Sequence, residues 1–288
     1  MTTADRKILV IGATGMLGAP VVHHLIEAGW KVRVLARDTA SAEKRFHNSV
    51  EIVRGDVTDS ASVSSALTGC SAVHVSLQGR TLEDFEQVEH QGTARVAQLA
   101  AKQGIERLTY LSGALVSAQT TYVPQEGAKW AAEEAIVKSG VPYTIFKPTF
   151  FMESLPLNVR GKRASVMGAA TKKFRFVAAD DYAALVVKAL QTPAAANQRL
   201  DVYGPQALTL REATEIYVRS VDPSIKVSMT PFWMMKAMNR LFMKGSLTHV
   251  IELMELTETV GETGSPALTS QILGTPSTTL AQWCARSS

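Results

Sequence analysis

Residues 7–18 read Lys-Ile-Leu-Val-Ile-Gly-Ala-Thr-Gly-Met-Leu-Gly (KILVIGATGMLG), and the stretch divides into a strand and a turn. Lys7–Ile11 is a short apolar run that ends in glycine, the form of a strand buried in a parallel sheet. Downstream, Val21, Val22, Leu25 and Ile26 fall on one side of a helix over Gly18–Ala28, with Gly29 as its stop. Between strand and helix stand Gly12, Gly15 and Gly18. Gly12 lets the chain turn sharply, Gly15 lets a pyrophosphate approach the backbone, and Gly18 lets the helix pack close to the sheet. The helix N-terminus then offers free N–H groups and positive partial charge to phosphates, and Thr14 adds a hydroxyl. The stretch predicts a dinucleotide-binding turn.

Further along, strands over Lys31–Ala36, Val50–Val53, Ala72–Leu77, Arg107–Leu111 and Tyr143–Phe146 alternate with helices over Ser60–Leu67, Phe85–Gln103 and Gly127–Lys138. This alternation predicts an α/β fold with a doubly wound parallel (Rossmann) sheet, and ligands at the carboxyl ends of its strands. Residues 1–150 are read as the nucleotide-binding domain. Residues 151–288 are read as a smaller, mainly helical substrate lobe, partly interleaved, because Arg199–Val202 looks like a seventh strand returning to the sheet. In that lobe, Arg160–Val177 reads as a hairpin or an extended excursion, with basic clusters either side of a Gly168 turn. Asp180 or Asp181 is expected to cap a helix over Tyr182–Leu190, and Thr209 one over Leu210–Val218. Pro231–Met243, Leu247–Leu256 and Thr278–Arg286 read as helical.

The 288 residues are 46% hydrophobic and 19% charged, with a net charge of +4, values of a folded chain rather than a disordered one. Cys70 and Cys284 lie in no Cys/His cluster and are expected to be reduced thiols. The polar Met1–Asp5 lacks the form of a secretory leader, and no apolar run approaches the roughly 20 residues of a membrane span. The expectation is a cytoplasmic protein that acts on a small molecule, binds neither membrane nor nucleic acid, and is a monomer or homodimer. His23, His24, His74 and His90 show no metal-ligand spacing, so no metal is expected. No Gly-x-Ser-x-Gly elbow points to a hydrolase.

The end of the second strand bears on which dinucleotide is held. An acid there would bind the ribose hydroxyls of NAD and repel a 2′-phosphate; this chain has Ala36-Arg37, and arginine's fork of donors suits a phosphate. Lys44 and Arg45 reinforce it, while Asp38 draws on Arg37's charge. NADP(H) is the expected cofactor. Asp56 follows the third strand, placed either to accept from an adenine amine or to cap a turn. Ser76, Leu77 and Gln78 end the fourth strand, where the chain should pass under a ribose, and Ser112 ends the fifth, near the nicotinamide.

Taken together, Ile8–Gly18 (ILVIGATGMLG), Gly55–Asp59 (GDVTD), Gly92-Thr93, Gly104–Ser112 (GIERLTYLS), Lys129 and Lys147–Glu153 (KPTFFME) resemble the NmrA-like branch of the atypical short-chain dehydrogenases over about residues 6–205. The resemblance implies NADP(H) along Gly12, Thr14, Gly15, Met16, Leu17, Arg37, Asp56, Val57 and Leu77. It also implies that Lys129 reaches the nicotinamide ribose and that Pro148–Phe151 lines the nicotinamide pocket. Such proteins include quinone and azo reductases, reductases of plant phenolics, and non-catalytic redox sensors.

One departure stands out. Dehydrogenases of this superfamily carry a tyrosine one helical turn before the lysine, where it serves as an acid. Here Gln125 precedes Lys129, and Tyr122 can take the role only if its loop folds back across Pro124. A strong acceptor such as a quinone, azo group or enone still accepts hydride without that tyrosine. The expected function is therefore an NADPH-dependent reductase of an electron-poor, apolar or aromatic substrate, with Lys129 and Tyr122 as candidate catalytic residues. Phe150, Phe151, Met152 and Trp233 are the candidate substrate walls. The alternative is a non-catalytic NADP(H)-binding redox sensor.

Overall fold

A computed structural model describes residues 6–287; the reading of Met1–Asp5 lies outside them. The first half follows the alternation. Strand β1 (Lys7–Ile11) leads to α1 (Gly18–Glu27), β2 (Lys31–Ala36), α2 (Thr39–Phe46), β3 (Glu51–Arg54), α3 (Ser60–Leu67) and β4 (Ala72–Val75). A long helix comes next. It begins as α4 (Leu82–Asp84), continues as a π-helical stretch over Phe85–Gly92, and ends as α5 (Thr93–Lys102). Then come β5 (Arg107–Leu111), α6 (Pro124–Ser139) and β6 (Tyr143–Pro148).

Beyond Pro148 the chain forms β7 (Val159–Arg160), β8 (Arg163–Met167), β9 (Lys173–Arg175), α7 (Ala179–Gln191), β10 (Gln198–Val202), β11 (Ala207–Thr209) and α8 (Leu210–Val221). The last elements are β12 (Lys226–Thr230), α9 (Phe232–Phe242), α10 (Thr248–Val260), α11 (Ala267–Leu273) and α12 (Leu280–Ser287).

Seven parallel strands form the main sheet in the order β10-β6-β5-β4-β1-β2-β3. The order reverses between β1 and β4, which opens a crevice at their carboxyl ends. Successive side chains of a strand point to opposite faces, so β1 feeds two cores. Ile8 and Val10 pack with Val21, Val22 and Leu25 of α1, Phe46 of α2 and Tyr182 of α7. Leu9 and Ile11 pack with Val63 of α3, Val96 of α5, and Ala132 and Ile136 of α6. Each large aliphatic side chain so buried contributes about 1.5–3 kcal/mol of transfer free energy. A third core, around Met152, Leu155, Val166, Phe174, Phe176, Leu210 and Leu280, holds the lobe together.

Several sequence expectations change here. The hairpin of the basic region is β7–β8, closed at Gly161, and not a turn about Gly168. Beyond Gly168, β9 pairs instead with β11. Neither Asp180 nor Asp181 caps α7. The helix starts earlier, at Ala179, whose N–H donates to the buried Glu153 carboxylate at 3.0 Å. Asp181 accepts from the Ser277 and Thr278 N–H groups, both at 2.8 Å, and so ties down the chain before α12. Thr209 does cap α8, in a reciprocal box with Glu212.

An ion pair between a buried carboxylate and a partly exposed arginine joins the seventh strand to the rest of the sheet. Glu133 of α6 is fully buried; it accepts from the Ser112 hydroxyl and from Arg199 Nε of β10 at 2.8 Å. Arg199→Met leaves that carboxylate with a single donor. Urea unfolding should show a loss of about 2 kcal/mol. Arg211→Met, which breaks an exposed pair with Glu215 one turn along α8, should cost at most ~0.5 kcal/mol.

Candidate active site

The glycine turn is built on close backbone contact. Gly12 has φ +85°, and a Cβ on it would stand 2.2 Å from the Ser76 carbonyl oxygen. A Cβ on Gly18 would stand 2.2 Å from the Gly12 carbonyl oxygen. The tight approach at Gly18 is thus between helix start and loop backbone, not between helix and sheet as the sequence suggested. Gly15 is exposed, and its N–H donates back to the Gly12 carbonyl at 3.1 Å. Leu17, at the N-cap of α1, gives no side-chain cap, and the first turn carries no acid. The Ala19 N–H donates to the Gly15 carbonyl at 3.2 Å and Pro20 has no N–H, so the groups left to meet an anion are the Leu17 and Gly18 N–H groups at the very start of α1. Met16, 41% exposed, flanks them, and Leu17 packs into the core below. Thr14 takes part through its carbonyl, which accepts from Arg45 Nη1 of α2 at 3.2 Å. That guanidinium stands directly on the phosphate turn.

Arg37 is exposed at the end of β2, and Asp38 beside it caps α2 by accepting from the Ser41 N–H at 3.2 Å. The cap gives the Asp38 carboxylate a local partner. Arg37 also lies near enough to Asp84 to help hold that carboxyl below its ordinary range, behind the larger effect of the Arg80 and Thr81 contacts. Asp56 Oδ1 closes a turn, accepting from the N–H and hydroxyl of Thr58 at 2.8 and 2.9 Å, and the turn leaves Oδ2 outside it. Val57 is buried against Gly92, where a Cβ would meet Val57 Cγ2 at 2.8 Å. Ser76 lies beneath Gly12, Leu77 packs inward and Gln78 is exposed. Ser112 is buried and its hydroxyl is committed to Glu133 of α6.

Lys129 sits on α6 with its side chain only 12% exposed. Its Nζ lies 3.0 Å from Glu89 Oε2 and 5.9 Å from the centre of the Tyr110 ring. Glu89 is fully buried at the middle of the π-helical stretch, and its other oxygen accepts from the Gly79 N–H at 2.6 Å. Gly79 follows the carboxyl end of β4, so the pair is anchored beside the strand end where a ribose is expected. Burial opposes the Lys129 charge, but Glu89 outweighs it and holds the ammonium well above the ordinary lysine range. Lys129 is thus a fixed cation at neutral pH, not a base.

Glu89, Glu126 and Glu133 were not among the residues singled out from the sequence. Glu126 and Lys129 show the three-residue spacing of helix neighbours, a legible signal. The contact between Glu89 and Lys129 is purely tertiary.

Other candidates stand apart from this cluster. Tyr122 is 72% exposed, so the loop does not fold it back into the crevice. Trp233 is also 72% exposed, because α9 turns Met235 and Asn239 inward and Trp233 outward. Phe151 is buried edge-on against Tyr182 under the sheet, and Met152 is buried in the lobe core, so neither offers an open wall. Pro148 closes β6, and its carbonyl accepts from the Ala114 N–H at 2.8 Å. Phe150 is half-buried, stacked on Phe176 at 5.6 Å and edge-on to Phe174 at 4.9 Å. A narrow pocket lined by Phe150, Met167, Lys172, Phe174 and Met254 opens beside it.

The turn fits a dinucleotide on the structure's own terms: a cradle that a Cβ would fill, a helix start with no side-chain cap, and Arg37 and Arg45 nearby. Comparisons with known proteins agree. The model of the NmrA-like family matches residues 4–280, well beyond the 6–205 that the motifs suggested. The NAD(P)H azoreductase of Xenophilus azovorans is 28% identical over 283 residues, 96% of each chain. A (4-alkanoyl-5-oxo-2,5-dihydrofuran-3-yl)methyl phosphate reductase of Streptomyces griseus is 34% identical over 72% of this chain and 71% of its own. An NADPH-dependent quinone oxidoreductase from Escherichia coli, solved with NADPH, superposes with a TM-score of 0.77 at 20% identity, covering 97% of this chain and 99% of that one.

Titration by fluorescence should show NADPH binding at least roughly tenfold tighter than NADH, a margin of about 1.4 kcal/mol. Arg37→Ala should erase most of that margin by weakening NADPH alone. Equal affinities in the unaltered protein would contradict the assignment of Arg37.

Proposed function

The chain belongs to the NmrA-like family, and from that membership we propose that it is an NADPH-dependent reductase of electron-poor, apolar or aromatic acceptors of the quinone, azo or enone type. The observation that carries the proposal is Lys129. It is a permanent cation, anchored by Glu89 at the carboxyl end of β4, with Gln125 in place of a tyrosine one turn ahead. A tyrosine acid beside lysine suits alcohol and carbonyl chemistry, where the proton donor must be strong at the carbonyl oxygen. A fixed cation without that phenol suits an acceptor that is already electrophilic. The named activities of the azoreductase and quinone oxidoreductase point the same way.

In this reading the first turn of α1, with Gly12, Thr14, Gly15, Met16 and Leu17, holds the pyrophosphate. Arg37, backed by Arg45, holds the 2′-phosphate. Asp56 and Val57 flank the adenine, and Ser76, Leu77 and Gln78 lie under the ribose. Lys129 donates to the nicotinamide ribose hydroxyls and fixes the ring's position, and Pro148 and Phe150 border the ring. When bound, NADPH supplies the hydride. The half-buried Phe150, backed by Phe174 and Phe176 in the lobe core, gives the acceptor an apolar face.

The test is consumption of NADPH, followed by its near-ultraviolet absorbance, against a panel of quinones, azo dyes and enones. Turnover with at least one class is expected. Lys129→Ala should lower kcat by at least roughly tenfold through a misplaced nicotinamide. Tight NADPH binding with no turnover on any acceptor would overturn the proposal in favour of a redox sensor.

A further inference from the structure

Three buried carboxyl groups meet at the inner face of α6, two from the helix and one from the π-helical stretch opposite, and two of the three have partners that account for their burial. Glu89 faces that helix and is held by Lys129 and the Gly79 N–H. Glu133 is held by Ser112 and Arg199. Glu126 differs. It is 5% exposed, and its Oε2 is buried with no hydrogen-bond partner among the described residues. A carboxyl group left this way costs stability, and such sites cluster where the group has a task.

Its place in the fold suggests the task. Helix α6 returns antiparallel to β5 and β6, so its first turn lies at the carboxyl ends of the strands, where ligands bind in this architecture. Glu126 is in that first turn, three residues before Lys129 and on the same face. The tyrosine that this helix lacks at Gln125 would have been its neighbour.

We propose that Glu126 is the proton donor of the reduction. The inference rests on the reductase reading above. The acceptor gains a hydride, one hydrogen with its electron pair, from bound NADPH, and one proton from the Glu126 carboxyl. A quinone so becomes a hydroquinone, or an azo link a hydrazo link, NADPH becomes NADP⁺, and Glu126 is left a carboxylate that solvent reprotonates.

The surroundings suit both states. Burial pushes the Glu126 carboxyl up to about 7, so it retains a proton near neutrality. Five groups face it: Lys129 and Glu133 from α6, Glu89 from the π-helical stretch, Lys147 from β6 and Tyr110 from β5. The two lysines favour the carboxylate left after transfer, and the two glutamates favour the acid before it. An acid that titrates close to working pH meets the requirement for general acid catalysis.

Glu126→Gln and Glu126→Asp in the full chain provide the test. In the NADPH-free wild type, infrared spectra should contain a buried protonated-carboxyl band at pH 6 that fades as pH passes about 7. The Gln variant should lack the band. The raised carboxyl binds its proton more tightly folded than unfolded, so its contribution to stability falls as pH rises from 4.5 towards about 7, and the melting temperature of Glu126→Gln relative to the wild type should rise over that interval. With an active acceptor, wild-type kcat should decline above pH about 7. Glu126→Gln should lose that limb and roughly 100-fold in kcat at pH 6, with NADPH affinity little changed, and Glu126→Asp should recover part of the rate. An unchanged rate and pH limb in Glu126→Gln, or no carboxyl band at pH 6 in the wild type, would overturn the role of Glu126. A wild type that reduces no acceptor would instead overturn the reductase reading and the role of Glu126 with it.

Discussion

At the end of β1 the Gly12 Cα lies against the Ser76 carbonyl, and the Gly18 Cα lies against the Gly12 carbonyl. Strands β1 and β4 and helix α1 meet there with no room for a side chain at either glycine. The contact sits where the strand order reverses, so α1 starts at the mouth of the crevice. Everything downstream is positioned from it. Ser76 leads to Gly79, the Gly79 N–H anchors Glu89, and Glu89 anchors Lys129. Backbone packing at one point is thereby transmitted to the charge expected to hold the nicotinamide ribose, through one hydrogen bond and one ion pair.

Electrostatics in the crevice divide by position. On the α1 side the groups are N–H donors and exposed guanidinium groups, suited to phosphate. On the α6 side one fixed ammonium stands among buried carboxyl groups. A buried ion pair such as Glu89–Lys129 adds little net stability, since desolvation offsets much of the attraction. Its value here is positional: it fixes where the ammonium can be and keeps it charged. Glu133 and Arg199 do a related job for architecture, binding the seventh strand, contributed by the second half of the chain, to the helix that carries Lys129. The lobe and the site are coupled through that strand.

Much of this was legible in the sequence. β1, β2 and β5 occupy the predicted spans because strands buried on both faces are short and predominantly apolar, with Arg33 and Thr109 as the polar exceptions in β2 and β5. The cap at Thr209 was legible because a cap and its helix adjoin in sequence, while its reciprocal bond with Glu212 came from the structure. Helix α2 was not, because only Ala42 and Phe46 of its eight residues are buried, too few to show a period. Strand β12 (Lys226–Thr230) alternates exposed and half-buried residues in a small sheet and gives a weak signal. The cap of α7 was misread because an acid in the first turn looks like a cap, whereas the N–H bond went to Glu153, 26 positions away. In the site, the glycine turn was plain, yet the partner of Lys129 was not. Glu89 is 40 residues upstream, and no spacing rule links the two. The same holds for Tyr122 and Trp233: their chemistry was visible, but their outward direction depends on tertiary packing.

The most direct test is a crystal structure of the protein with NADPH. The pyrophosphate should lie on the first turn of α1, the 2′-phosphate against Arg37 and Arg45, and the nicotinamide ribose within hydrogen-bonding reach of Lys129. The open face of the nicotinamide should look towards Glu126. A dinucleotide whose 2′-phosphate lies away from both arginines, or whose nicotinamide lies out of reach of Lys129, would contradict the account.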